Sequence, residues 1–187
     1  MKHIVLDLDE TIVNISVHPG KHDQFKFKIG VATYYGQKRP GLARFLDFLF
    51  ATFESVNIWT AATREYADQV LLHIMTPVQR AGIKFLFTRN NLKVEKNGTY
   101  SKPLRKIFAL QEAQLLGLNR TNTLMVDDRA EMFKSNKGNG LVIPPWHRNP
   151  NDRFLYQLIH VLNHMCTAEV GVRRAKEPMK LINICRE

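Results

Sequence analysis

Val5-Leu6-Asp7-Leu8-Asp9-Glu10-Thr11 decides the fold, because the apolar run from Lys2 to Leu8 ends in two carboxylates one residue apart. Such a run reads as a strand of a parallel sheet, buried on both faces and charged only at its carboxyl end. In open α/β sheets that end is where ligands bind. On an ideal strand Asp7 and Asp9 leave from the same face, so their repulsion needs a divalent cation between them or a proton on one of them.

The same signature returns more than a hundred residues later in Thr123-Leu124-Met125-Val126-Asp127-Asp128-Arg129. Two such strands side by side would set up to four carboxylates around one point, an arrangement that a hard divalent cation offsets. Between them, Ser55 to Thr63 is a second apolar strand ending in hydroxyls and small residues. There Thr60 can donate to a phosphoryl oxygen, and Ala61 lets the backbone approach a ligand closely. Lys102 stands at a loop-to-helix junction, from which its ammonium can reach back to the carboxylates. One such pair at about 4 Å, with an effective dielectric of about 20, is worth roughly 4 kcal/mol before desolvation. Arg89, at the end of a third strand beginning at Ile83, offers an anion contact.

The remaining chain alternates strands and helices, which predicts one α/β domain over 1–187 with insertions. Ile12 to Lys38, with alternating Phe25-Lys26-Phe27-Lys28-Ile29, predicts a half-exposed hairpin (about 14–38) lying over the site. A helix follows Lys38-Arg39-Pro40-Gly41, with apolar residues at Leu42, Phe45, Leu46, Leu49 and Phe50, and another runs from Arg64 towards Met75. Asn97-Gly98 signals a tight turn in a small β insertion, about 83–101. The spacing predicts one helix from Leu104 to Leu116 stopped by Gly117, a fifth strand at Gly140–Trp146, and a helix carrying Phe154 to Leu162. His160 and His164 fall four apart on that last helix, a zinc-compatible spacing without further ligands nearby. The tail, about 167–187, has weak periodicity.

Composition narrows the classes. The chain has 187 residues, 44% of them hydrophobic, enough for one full core. No apolar run approaches the roughly 18 residues of a membrane span, and the first core strand leaves no space for a leader, so an intracellular, non-secreted protein with no membrane partner is expected. Two cysteines, Cys166 and Cys185, make neither a disulfide framework nor a zinc set. The net charge is +10, and eight basic residues crowd between Arg80 and Lys106 against one acid, Glu95. That field suits a polyanionic partner, whether a phosphoprotein, a nucleic acid or an acidic surface, as well as a merely solvated basic face.

Asp7-Leu8-Asp9-Glu10-Thr11 after a strand resembles the nucleophile motif of haloacid dehalogenase-like phosphotransferases. With Lys38-Arg39-Pro40, Thr60-Ala61, Tyr66-Ala67-Asp68, Lys102 and Asp127-Asp128, the order and spacing resemble the small C-terminal-domain phosphatases, the FCP/SCP or NLI-interacting-factor type, from the first strand to about Leu162. The resemblance implies a Rossmannoid core of central parallel sheet flanked by helices, with a small β insertion. It also implies Mg²⁺ and hydrolysis of phosphoserine or phosphothreonine, often in RNA polymerase II tail repeats. It makes Asp7 the nucleophile, Asp9 the general acid/base, and Thr60 and Lys102 the holders of the phosphoryl group. Thr11, Ala61 and Arg89 fall to substrate binding. Asp7, Asp9 through its carbonyl, Asp127 and Asp128 fall to the metal and lysine environment. The family's usual Asp-Asn is here Asp127-Asp128, which adds a negative charge when both ionise. The same residues also suit a phosphatase for nucleic-acid ends or small phosphate esters, or a phosphoprotein-binding scaffold.

Overall fold

The computed structural model describes residues 1–167. Its centre is a parallel five-stranded sheet, built from β1 (His3–Leu6), β5 (Ser55–Trp59), β6 (Ile83–Phe87), β9 (Thr123–Asp127) and β10 (Gly140–Val142) in the order β10-β9-β1-β5-β6. Alternate residues of the middle strands serve two apolar layers. Ile4, Leu6, Val56, Ile58, Leu124 and Val126 face one core, while Val5, Trp59 and Met125 face the other. Burial on both faces is why these strands read as continuous apolar runs rather than alternating ones.

Register places the site. Leu6 pairs with Ile58 on one side and Val126 on the other, and Asp7 N–H extends the ladder to the Val126 carbonyl at 3.0 Å. Asp7, Thr60 and Asp127 therefore emerge together at the carboxyl ends of three adjacent strands.

The first core is closed by α1 (Leu42–Thr52), α2 (Arg64–Ile74) and α6 (Phe154–Thr167). In α1 the buried positions Leu42, Phe45, Leu46 and Leu49 follow the helical spacing expected. Gly41, just before it, has φ +85°, and a Cβ there would lie 2.8 Å from the Tyr156 ring, so both backbone and packing require glycine. A short helix, α3 (Pro77–Gly82), was not expected. Thr76 and Gln79 form a capping box around Pro77 at its start, a signal present in the sequence.

The expected hairpin is a three-stranded antiparallel sheet, β2 (Val13–Ser16), β4 (Ala32–Lys38) and β3 (Phe25–Ile29) in that order. Of the span 83–101, Ile83–Phe87 is an edge strand of the central sheet. The insertion proper is the pair β7 (Lys93–Val94) and β8 (Tyr100–Ser101). The single helix expected over 104–116 is two, α4 (Arg105–Phe108) and α5 (Gln111–Leu115). Leu110 breaks it by taking an extended ψ of 134° and packing on the second core. His160 and His164 are exposed on α6, and among the described residues they join no metal-like cluster. The tail expected over 167–187 lies, from residue 168 on, outside the described residues.

Candidate active site

The carboxyl end of β1 turns back sharply. Ile12 and Val13 N–H groups both donate to the Leu8 carbonyl, at 2.9 and 3.1 Å, and Glu10 sits in the left-handed region at φ +57°. A non-glycine residue held there is strained by about 1–3 kcal/mol. The strain is held from two sides: Glu10 N–H donates to the Val13 carbonyl at 2.7 Å, and the Glu10 carbonyl accepts from Trp146 N–H at 2.7 Å. The fully buried Arg39 braces the same loop. Its Nη1 donates to the carbonyls of Thr11 and Pro144, its Nε and Nη2 hold Asp152 at 3.0 and 3.1 Å, and it lies 5.0 Å from the Phe154 ring centroid. The Lys38-Arg39-Pro40 motif thus acts at a distance, fixing the turn that presents Asp7 and Asp9.

Around this turn a cavity of about 330 Å³ is lined by Asp7, Asp9, Thr60, Lys102, Asp127 and Asp128, with Ala61, Glu10, Arg129 and Met132 at its other walls. Lys102 is buried, and its ammonium lies 2.5 Å from Asp7 Oδ1 and 2.6 Å from Asp127 Oδ2. Burial alone would lower the lysine pKa, yet the two carboxylates hold it above its usual value. The Lys102 segment is itself fixed, since Asn136 accepts from Leu104 N–H and donates to the Lys102 carbonyl, at 3.0 Å each.

The carboxylates differ in what they face. Asp127 has both oxygens engaged, one by Lys102 and the other by Arg129 N–H at 2.9 Å. Burial, with Asp7 adding to it, pushes its pKa up to about 7. Asp128 is half-buried and is likewise shifted upward, first by burial and then by Asp7. Single oxygens of Asp7, Asp127 and Asp128 lie within 4.8 Å of one another. Thr11 has no accessible surface, and its hydroxyl sits 3.1 Å from Asp7 Oδ2 and 3.3 Å from Asp128 Oδ1. It therefore braces the carboxylates from beneath.

The Asp9 carboxylate stands apart from that cluster and accepts from the Tyr66 hydroxyl at 2.6 Å. Burial pushes the Asp9 pKa up to about 6, Tyr66 opposes that, and Asp7 adds to it. Desolvation thus does most of what charge repulsion was expected to do. Tyr66, quoted for the resemblance but given no role, is the site residue that sequence reasoning missed. No local pattern distinguishes a tyrosine at the third position of a helix from one that only packs.

Thr60 is buried at the end of β5, where its N–H donates to the Phe87 carbonyl and its hydroxyl accepts from Ala62 N–H at 3.1 Å. A second groove of about 590 Å³ shares Asp9 and Ala61 with the cavity and is walled by Ile29, Tyr34, Tyr66 and Arg89. The three-stranded sheet therefore does overhang the site. Arg89 is exposed there, its Nε donating to the Ala61 carbonyl at 2.9 Å.

A sequence profile of the NLI interacting factor-like phosphatase family matches residues 2–173. CTD small phosphatase-like protein 2 of Dictyostelium discoideum is 28% identical over 185 residues, covering 97% of this chain and 30% of that protein. CTD small phosphatase-like protein 3 of Caenorhabditis elegans is 31% identical, covering 91% and 56%. The putative CTD phosphatase-like protein 355R of Invertebrate iridescent virus 6 is 29% identical, covering 87% and 98%. The chain thus spans about a third to a half of these two cellular relatives, and nearly all of the viral one. Among solved structures, that of Fcp1, an essential RNA polymerase II CTD phosphatase, is similar in fold, with a TM-score of 0.57 and 20% identity over 90% of this chain and 51% of that one. The fold is accordingly the haloacid dehalogenase-like one that the resemblance implied. With the profile covering nearly the whole chain, the protein belongs to the NLI interacting factor-like phosphatase family.

Proposed function

We propose that the chain is a magnesium-dependent protein serine/threonine phosphatase working through an aspartyl-phosphate on Asp7, with phosphoserine peptides like the RNA polymerase II C-terminal repeats among its substrates. One observation carries this reading: Lys102 is buried between Asp7 and Asp127 at the mouth of three adjacent strands, beside Thr60 and Asp128. A phosphoryl group seated there would meet a carboxylate nucleophile, a fixed cation and a hydroxyl together, and phosphoryl transfer asks a protein mainly for such positioning.

The donor set fits magnesium. It offers hard carboxylate oxygens gathered within 4.8 Å, and Asp127 is already occupied by Lys102 and Arg129. Asp7 and Asp128, with the Asp9 carbonyl, are the groups that would hold the ion. When bound, magnesium supplies charge neutralisation at the phosphoryl oxygens.

The protein's own groups divide the remaining work. Asp7 attacks phosphorus in line, dividing one hard step into two. Asp9, held near neutral pKa by its half-buried site, gives a proton to the departing serine oxygen and later takes one from water. Lys102 and Thr60 stabilise charge on the equatorial oxygens.

The distribution of basic residues supports a protein over a nucleic-acid substrate. Of the eight between Arg80 and Lys106, Lys102 is buried in the site, Lys106 donates to the carbonyls of Asn91 and Leu92, and Lys93 pairs with Glu95 at 2.6 Å. Comparing a phosphoserine peptide with a 5′-phosphorylated oligonucleotide, with and without magnesium, tests the assignment. Peptide turnover that needs the metal is expected, and preference for the oligonucleotide would overturn the substrate class.

A further inference from the structure

A second cleft, of about 440 Å³, opens between α2, α3 and β6. Arg64 and Asp68 line it from α2, Arg80 from α3 and Lys84 from β6, with Ile83 and Leu86 among its apolar lining. Arg64 stands about 200° round the helix from Tyr66, so the cleft lies on the other flank of α2 from the Asp9 contact.

Three cations face one carboxylate here, and that carboxylate is already engaged. Arg64 Nε lies 3.0 and 2.9 Å from the two oxygens of Asp68. Among the described residues Arg80 and Lys84 form no ion pair, and Arg80 Nε is buried without any hydrogen-bond acceptor. A buried guanidinium N–H is unfavourable unless something supplies an acceptor. Forked guanidinium donors with a neighbouring ammonium match a phosphate dianion, which carries acceptor oxygens on several sides.

The cleft and the groove beside Asp9 are lined by neighbouring stretches of the chain. Thr63 lines the groove and its neighbour Arg64 lines the cleft, while on the β6 side Arg89 belongs to the groove and Leu86 to the cleft. An extended peptide advances about 3.3 Å per residue, so phosphates three residues apart are on the order of 10 Å apart along it.

We propose that this cleft binds a second phosphate monoester on the same peptide whose first phosphate faces Asp7, and so favours substrates phosphorylated at two nearby positions. The inference rests on the phosphoprotein phosphatase reading and adds a specificity site to it.

The test compares peptides carrying one or two phosphoserines a few residues apart, on the wild type, Lys84→Gln and the Arg80→Gln/Lys84→Gln pair. Lys84 is exposed, so its variant reports even if the double variant folds poorly. The doubly phosphorylated peptide should show about tenfold higher kcat/KM, carried by KM, and the double variant should erase that advantage. Hydrolysis of an aryl phosphate, too small to reach the cleft, should stay at the wild-type rate. Equal kcat/KM for the two peptides, or an advantage that survives both variants, overturns the proposal. Peptide binding to Asp7→Asn protein, followed by fluorescence anisotropy, separates the two readings. If the wild type hydrolyses no aryl phosphate, the phosphatase reading fails, while the cleft still stands or falls on whether the second phosphate tightens binding through Arg80 and Lys84. A 5′-phosphorylated oligonucleotide that displaces the doubly phosphorylated peptide at lower concentration would overturn the cleft's assignment to peptides.

Discussion

The Tyr66 hydroxyl donates to the Asp9 carboxylate at 2.6 Å, joining the first residue pair of the chain's acidic motif to a helix 57 positions downstream. That bond favours ionised Asp9, whereas burial favours the protonated form and prevails. An acid that must be protonated at the first step loses activity as pH rises through its pKa, here about 6. Removing the donor in Tyr66→Phe should therefore move the alkaline limb of the kcat/KM profile to higher pH, with activity at the optimum down by roughly three- to tenfold. Comparing the two profiles on one aryl phosphate cancels the substrate's own titration. A limb that stays in place or moves to lower pH would contradict the role given to Tyr66.

Lys102→Met leaves Asp7 and Asp127 buried without their shared cation. Removing one partner from a buried ion pair destabilises by about 3–5 kcal/mol, and the transferring phosphoryl group loses its fixed positive charge. Urea unfolding should show a clear loss of stability, and turnover should fall by at least about a thousandfold. A stable variant with near-normal turnover would remove Lys102 from the mechanism.

Asp128→Asn removes one negative charge beside Asp7. Ligand charge count tunes the affinity of hard-cation sites. The magnesium concentration for half-maximal activity should rise several-fold while activity at saturating magnesium stays within about threefold of wild type. Complete loss of activity at any magnesium concentration would mean that Asp128 does more than hold the ion.

His3 lies buried at the start of β1, its Nδ1 3.0 Å from Ser55 Oγ and its Nε2 without a partner. Burial lowers its pKa, with nearby Glu54 opposing. Below about pH 6.5 the unfolded chain takes up a proton that the folded one refuses, so His3 subtracts stability as pH falls through that range. The raised carboxyl groups of Asp9 and Asp127 act in the opposite direction, since the folded state binds their protons more readily. The stability difference between wild type and His3→Gln isolates the histidine, and it should shrink or reverse between pH 7.5 and 5. A difference that does not change with pH would contradict a buried neutral His3.

The strands were legible because each carries its own apolar run and polar stop, and the carboxylates of Asp7 and Asp127 mark strand ends without help from the rest of the chain. Their meeting was legible only through the pattern of two acid-tipped strands. What was not legible depends on distant packing. Leu110 breaks a helix because the second core needs its side chain, and Thr11 turns inward because Asp7 and Asp128 both lie within reach of its hydroxyl. The edge position of β6 and the use of Lys93 and Lys106 on nearby acceptors likewise follow from tertiary contacts that charge counting cannot see.

The most direct measurement is acid quenching of the enzyme during turnover of a phosphoserine peptide with magnesium, followed by mass spectrometric mapping of any phosphate adduct. The adduct should lie on Asp7, accumulate when Asp9→Asn slows its breakdown, and vanish together with turnover in Asp7→Asn. Full turnover by Asp7→Asn, or an adduct on a different residue, would contradict the account.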